Sequence, residues 1–250
     1  MDFATYPSLK GRTIFVTGGA SGIGADIVRA FAEQGSRVGF VDLDAERGEA
    51  LARALGDAAR FEACDLRDTD ALRRAFASLK ASVGPAEVLV NNAARDDRHA
   101  WQDVTPEYYD ERIATNLRHM FFAIQAVAPD MIAAGRGSIV NMGSNSWWEA
   151  GGGMPVYTTA KAAVHGMTRG MARDLGPHRI RVNTVVPGWV MTEKQLKLWV
   201  TEETKREIAK GQCIAQPLMP EHIARMALFL AADDSAMCTG QDFVVDGGWA

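Results

Sequence analysis

From residue 13 onward, short apolar or β-branched runs alternate with longer helical patterns, and this alternation constrains the fold more than any other feature of the chain. Runs at 13–17 (TIFVT), 37–41 (RVGFV), 60–63, 88–90, 138–142 (SIVNM), 181–186 (RVNTVV) and 243–245 read as strands. Helical patterns fall near 23–34, 45–55, 69–82, 106–134, 156–175 and 220–231. The strand runs are continuously apolar, as expected of strands buried on both faces. Strands of that kind separated by helices predict an α/β fold, a doubly wound parallel sheet of seven strands with helices on both faces.

The 250 residues contain no internal repeat and no Ser/Pro-rich linker, so a single domain over 1–250 is expected. One stretch, about 190–218, breaks the alternation: it is charged and helix-like, carries Trp199 with Trp189 just ahead of it, and falls between the sixth and seventh strands. An insertion there would lie above the carboxyl ends of the strands, where it can cover a ligand.

Directly after the first strand comes Thr17-Gly18-Gly19-Ala20-Ser21-Gly22-Ile23-Gly24, followed by a helical pattern. Glycines at a strand-to-helix junction let the backbone turn tightly and bring helix N-terminal amides up to a pyrophosphate. Gly18, Ser21, Gly22, Ile23 and Gly24 are therefore candidate cofactor contacts. Their spacing, Gly-x-x-x-Gly-x-Gly, differs from the commoner dinucleotide fingerprint. Asp42 ends the second strand 18 residues past Gly24, where a carboxylate can accept hydrogen bonds from free ribose hydroxyls and repel a 2′-phosphate. With no cation at Gly19 or Leu43, NAD is the expected cofactor rather than NADP.

Tyr157 and Lys161 stand four apart in a helical pattern and so share one face. A phenol has an ordinary pKa near 10 and is a poor base, and a neighbouring ammonium favours its ionised form. The pair taken alone is equally compatible with a half-buried tyrosine beside a solvated lysine.

Composition removes several function classes. The net charge is −4 and basic residues are scattered among carboxylates, as in Asp110-Glu111-Arg112, so nucleic acid is not an expected partner. Cys64, Cys213 and Cys238 are widely separated and lack CxxC spacing, which suits a reducing compartment and argues against a disulfide framework or a cysteine zinc site. The N-terminus shows no basic segment followed by an apolar one, and no run approaches the roughly 20 apolar residues of a membrane helix. A cytoplasmic protein that does not associate with membranes is expected, with no catalytic metal.

Taken together, the glycine loop, Asn91-Asn92-Ala93-Ala94, Asn116, Ser144, Tyr157, Lys161 and Pro187-Gly188 resemble the short-chain dehydrogenase/reductase family over essentially the whole chain. Ala94 departs from the family's commoner glycine. The resemblance implies a single Rossmann-type domain, assembly as a homotetramer or dimer with the tetramer expected, and hydride transfer between nicotinamide and a carbonyl or alcohol. It implies Tyr157 as the proton-transfer residue and Lys161 as the group that lowers its pKa and holds the nicotinamide ribose. Ser144 would hydrogen-bond the reacting oxygen, and Asn116 would hold a water linking Lys161 to solvent. Asp65 and Leu66 would meet the adenine, Asn92 and Ala93 the middle of the cofactor, and Pro187, Gly188, Val190 and Thr192 the nicotinamide. The helix at 156–175 and the segment at 242–250 would be assembly surfaces.

Shorter segments carry the resemblance further. Tyr6-Pro7-Ser8-Leu9-Lys10-Gly11, Asp96-Asp97-Arg98-His99 and Asn116-Leu117-Arg118-His119-Met120 look like bacterial sugar dehydrogenases of this family. The implied reaction is oxidation of an aldose such as D-xylose, D-galactose or L-arabinose at C1 to its lactone. The segment Ser146-Trp147-Trp148-Glu149-Ala150-Gly151-Gly152-Gly153-Met154, which precedes Tyr157, departs from the xylose and galactose members. Polyols are bound by many hydrogen bonds and can lay an apolar face on an aromatic ring. Asn145, Trp147, Glu149, His99, Trp189 and Gln195, with Ser144 and Tyr157, are the substrate candidates. A 2-keto-3-deoxy sugar acid is the alternative substrate, for which Arg95, Arg98 or Lys194 could supply the cation. A non-catalytic dinucleotide-binding scaffold is the alternative of another class.

Overall fold

The computed structural model describes residues 3–249; Met1, Asp2 and Ala250, the last of these in the expected assembly segment, lie outside the described residues. Seven parallel strands form one sheet in the order β3-β2-β1-β4-β5-β6-β7. They are β1 (Thr13–Thr17), β2 (Arg37–Asp42), β3 (Ala59–Ala63), β4 (Val88–Asn91), β5 (Gly137–Met142), β6 (Ile180–Pro187) and β7 (Asp242–Val245). The helices flanking them are α1 (Gly22–Glu33), α2 (Ala45–Leu55), α3 (Thr69–Val83), α4 (Pro106–Ile113), α5 (His119–Ala134), α6 (Pro155–Leu175) and α9 (Pro220–Ala231), with α7 (Glu193–Leu198) and α8 (Glu202–Gly211) between β6 and α9.

Alternate residues of each central strand feed two separate cores. Ile14 and Val16 of β1, Val88 and Val90 of β4 and Val140 and Met142 of β5 face one side, packing with Ile27 of α1 and Ile223 and Leu228 of α9. Phe15, Leu89 and Ile139 face the other, packing with Phe76 and Leu79 of α3 and Ile124 and Val127 of α5. Burial on both faces explains why the strand runs read as continuously apolar. At roughly 25 cal/mol per Å² of apolar surface, each fully buried Leu, Ile or Phe contributes about 1.5–3 kcal/mol before the entropy cost of ordering it.

The helix expected at 106–134 is interrupted. A π-helical turn at Ala114–Arg118 joins α4 to α5, and such turns frequently mark functional sites. The stretch expected to insert at 190–218 forms α7 and α8, and a bridge between Val190 and Leu218 closes its base.

The order of connections reverses between β1 and β4. In an open α/β sheet the crevice at such a reversal, beyond the carboxyl ends of the strands, is where ligands bind.

Candidate active site

A cavity of about 1100 Å³ opens at that crevice. Its cofactor half is built by the loop between β1 and α1. Gly18 has φ +67° and Gly22 φ +53°, a left-handed conformation that glycine adopts without strain. Asn92, just past β4, donates from Nδ2 to the Gly18 carbonyl at 2.8 Å and so locks this loop to the neighbouring strand. Ser21 stands at the N-cap of α1 with no capping hydrogen bond from its hydroxyl, and it faces the cavity. Free helix N-terminal amides and an uncommitted hydroxyl beside a glycine loop fit a pyrophosphate. The Asp42 carboxylate is aimed by two backbone amides, Ala20 N–H at 2.9 Å and Asp44 N–H at 3.0 Å. The nearby cation Arg47 is already paired with Asp44 and Glu193. On these observations the residues present fit a nicotinamide dinucleotide.

Gly18, Ser21, Ile23, Gly24, Asp42, Asp65, Leu66, Asn92, Ala93, Pro187, Gly188, Val190 and Thr192 all line the cavity. Gly22 does not, although it shapes the turn. Asp65 comes with a partner the sequence did not suggest: Arg67 forks onto its carboxylate and reaches Glu111 at 3.0 Å, which holds Asp65 below the usual carboxylate range.

Tyr157 and Lys161 lie in the first two turns of α6 and also line the cavity. The helix is fastened to the sheet by a buried polar seam. Asn91 Nδ2 donates to Asn141 Oδ1 at 2.8 Å, Asn141 Nδ2 to Thr168 Oγ1 at 3.0 Å, and Thr184 Oγ1 to Thr168 Oγ1 at 2.9 Å. Each such bond adds about 1 kcal/mol net, and far more would be lost by leaving its partner buried alone. Lys161 Nζ donates to the Met142 carbonyl at 2.7 Å, and its ammonium lies 5.6 Å from the centre of the Tyr157 ring. Ser144 follows β5, and its hydroxyl donates to Ser146 Oγ at 2.9 Å. Asn116 sits in the π turn, fully buried, with its amide engaged at both ends: Oδ1 accepts from Arg95 N–H at 2.7 Å and Nδ2 donates to the Arg112 carbonyl at 3.0 Å. Its side chain thus holds the β4–α4 loop against the helix.

Burial dominates the charge states. It raises the Tyr157 phenol above its usual range, and Asp96 adds to that, while the Ser144 hydroxyl and the Arg98 guanidinium pull the other way. Burial also pushes Lys161 down to about 7, with Asp96 opposing. The expectation that Lys161 lowers Tyr157 is therefore not met by the protein groups alone. The desolvation that disfavours a lone phenolate also disfavours a lone ammonium. His119, at the start of α5, is fully buried next to this centre, and its imidazole is held down to about 3 by burial first and the Lys161 charge second.

His119 yields a stability prediction. Unfolded histidine takes up a proton below about pH 6.5, and the folded chain resists doing so until about pH 3. The unfolded state therefore binds more protons in that window, and stability falls as pH falls through it. From this group alone, unfolding free energy at pH 5 should be about 2 kcal/mol lower than at pH 7. Urea midpoints of the native protein and of His119→Leu at both pH values measure it. An unchanged slope in the variant would show that His119 is not the cause.

The substrate half of the cavity is lined by Asn145, Glu149, Trp189 and Gln195, as the sequence suggested, together with Ser144 and Tyr157. Burial and the neighbouring Asp246 raise the Glu149 carboxyl, against an opposing effect of Asn145. Two substrate candidates do not reach the cavity. Trp147 turns its indole to His165, donating to Nε2 at 3.1 Å, and packs on Trp148. His99 is an anchor: Nε2 accepts from Val156 N–H at 3.2 Å at the start of α6, and Nδ1 donates to the Asp97 carbonyl at 2.9 Å.

The sequence reading missed Met154, Trp199 and Trp249 as lining residues. It also missed the role of Asp96, which accepts from Lys194 Nζ at 2.8 Å and from Gln195 Nε2 at 2.5 Å. Burial pushes the Asp96 carboxyl up, but Lys194 and Gln195 outweigh it and hold it below the usual range. These contacts join α7 to the β4–α4 loop across the mouth of the cavity. Nothing local in the sequence signals them, since the partners lie about a hundred residues apart.

The comparisons with known proteins agree with this geometry. Residues 18–250 match the family model described as "Enoyl-(Acyl carrier protein) reductase". The chain is 46% identical to the D-xylose 1-dehydrogenase of Caulobacter vibrioides, covering 100% of both chains. It is 47% identical to the "Probable galactose dehydrogenase GalD" of Rhizobium meliloti, covering 97% of this chain and 96% of the other. A solved short-chain type dehydrogenase/reductase from Mycobacterium ulcerans superposes with a TM-score of 0.91 at 26% identity, over 98% of this chain and 91% of that one. With a glycine loop at the sheet's switch point and Ser144, Tyr157 and Lys161 gathered on one cavity, the chain belongs to the short-chain dehydrogenase/reductase family.

Proposed function

We propose that this protein oxidises C1 of an aldose to the aldonolactone with NAD as acceptor. The observation that carries the reading is the meeting of Ser144, Tyr157 and Lys161 with a polar, tryptophan-lined substrate half in the same cavity as the glycine loop. The names of the relatives, a xylose and a galactose dehydrogenase, point to the same substrate class.

In the proposed reaction the C1–H bond breaks as hydride and the C1 hydroxyl loses its proton, leaving a C=O bond. The nicotinamide, when bound, supplies the hydride acceptor. Tyr157 Oη takes the hydroxyl proton. Ser144 steadies the oxygen as charge develops on it, and Lys161 holds positive charge beside the phenol. Burial raises the phenol, so its proton-accepting form needs positive charge nearby, which a bound oxidised nicotinamide would add. Asn116 serves by fixing the β4–α4 loop. Asp42 reads the adenosine ribose, and Asp65 and Leu66 flank the adenine. Lys194 and Gln195 of α7, with Trp199, would border the substrate.

The Asp42 role predicts a measurable change. Asp42→Asn keeps the shape and removes the charge that disfavours a 2′-phosphate, so the NAD:NADP ratio of kcat/KM should fall about 10- to 100-fold. Steady-state rates with both cofactors measure it, and an unchanged ratio would place cofactor selection elsewhere.

The reading extends to a cytoplasmic homotetramer. Three free cysteines suit a reducing compartment, and Phe121, Met237 and Val244 expose apolar surface that an assembly would cover. Among the described residues no helix is long and apolar enough to cross a membrane. Light scattering after gel filtration tests the assembly.

The function itself is tested by initial rates of NADH formation across neutral aldoses, 2-keto-3-deoxy sugar acids and simple secondary alcohols. Turnover of aldoses well above the rest is the expected result. Turnover of the keto-deoxy acids alone would overturn it.

A further inference from the structure

Three cations lie in the segments that border the substrate half of the cavity, and their surroundings differ. Arg95 is paired with Asp97 at 3.0 Å, and Lys194 is paired with Asp96 at 2.8 Å and with Asp97 at 3.6 Å. Arg98 lines the cavity and, among the described residues, has no carboxylate partner. Its guanidinium lies 6.0 Å from the Trp189 ring centre and 5.6 Å from that of Trp199. Its one hydrogen-bonding contact is the thioether of Met154, three residues before Tyr157.

A guanidinium has five N–H donors in a rigid plane, and a thioether is a weak acceptor. Two indole rings and a methionine give Arg98 apolar neighbours that accept few of its hydrogen bonds. A partly buried cation so placed on the cavity wall has most of its donors uncommitted to protein acceptors among the described residues. Other polar side chains of this half are differently placed. Gln195 is spent on Asp96 and Trp189, and Glu149 presents an acceptor, which suits hydroxyl donors.

From this placement we propose that Arg98 is the specificity-determining residue of the substrate half, taking two adjacent oxygen acceptors of the sugar in its planar fork. The chemistry it recognises is a pair of oxygens at bidentate spacing. A carboxylate on an acidic aldose and a vicinal pair of hydroxyls on a neutral one both present it. The inference rests on the proposed sugar oxidation and adds to it the group that orients the sugar.

The test compares the native enzyme with Arg98→Met and Arg98→Lys on a neutral aldohexose and on the hexuronic acid of the same configuration. The expected result for Arg98→Met is a KM raised about 10- to 100-fold with NADH affinity unchanged, along with a fall in kcat from losing a charge that favours the Tyr157 phenolate; Arg98→Lys keeps that charge and should hold kcat within about 3-fold while KM stays raised. Arg98→Lys keeps the charge and loses the fork, so it should recover less than half of the lost affinity on a logarithmic scale. A larger loss on the uronic acid identifies the carboxylate as the natural partner, and an equal loss on both identifies the hydroxyl pair; either supports the fork. Unchanged KM values, or a fall in kcat and NADH affinity together, would overturn the assignment and leave Arg98 a structural residue. If Arg98→Met does not fold, Arg98→Lys decides by the same criterion. Failure of the native enzyme to turn over any aldose would instead sink the reaction proposed above, independently of Arg98.

Discussion

Tyr157→Phe is expected to lower kcat for sugar oxidation by about 10³- to 10⁴-fold while leaving NAD affinity within a few-fold of the native value. The ring is retained, so its packing in α6 and its contact with the Lys161 ammonium at 5.6 Å are undisturbed. Only the oxygen that accepts the substrate proton is gone. Neither Ser144, whose hydroxyl is bonded to Ser146, nor Lys161, whose ammonium donates to Met142, stands free to replace it. Rates of NADH formation and tryptophan-fluorescence titration with NADH separate the two effects. A variant retaining a tenth of native activity would remove Tyr157 from the chemistry. The same physics sets the pH profile. Burial raises the phenol and the ionised form is the base, so kcat/KM for oxidation should climb with pH through the neutral range.

Gly24→Ala should be nearly as damaging, by a different route. A methyl group on Gly24 would sit 1.8 Å from the Gly18 carbonyl oxygen and 2.6 Å from Asn92 Nδ2, the two atoms that hydrogen-bond to fix the loop. Neither a backbone carbonyl nor the half-buried Asn92 amide bonded to it can yield by more than an ångström without opening the junction of β1 and α1. Overpacking of this kind costs about 1–3 kcal/mol of stability. Displacing the cradle by about 1 Å should weaken cofactor binding on the order of 100-fold. Thermal melts and NADH titration measure both. Gly176→Ala is the control: it follows α6 with φ −54° and ψ −43° and nothing within 4 Å of the added methyl, and should be neutral or slightly stabilising. Equal behaviour of the two variants would show that the loop tolerates rearrangement and that close approach is not the reason for glycine at position 24.

Some of the site was legible because it is made locally. The glycine loop is one strand end and one helix start, and Tyr157 and Lys161 share a face because a helix repeats every 3.6 residues. Asp42 follows from its place at the end of β2. The substrate half was less legible. Trp147 was expected to face a sugar, yet its indole N–H is satisfied by His165 on α6, a partner 18 residues away. His99 was expected at the cavity and instead ties its loop to Val156 at the start of α6. Trp199 and Trp249 line a cavity to which no periodic pattern points.

The sequence by itself determined the order of strands and helices, the two buried faces of the sheet, the glycine turn between β1 and α1, and the shared face of Tyr157 and Lys161. Each depends on residues near one another along the chain, where backbone geometry and alternating burial dictate which side chains meet. Only the tertiary structure decided the interior of the substrate pocket and its charge states. There, Asp96 meets Lys194 across a separation of 98 residues, Asn116 ties the β4–α4 loop to α4, and of three cations only Arg98 is without a carboxylate partner among the described residues. Those outcomes follow from packing between distant segments and from how completely each group is removed from water.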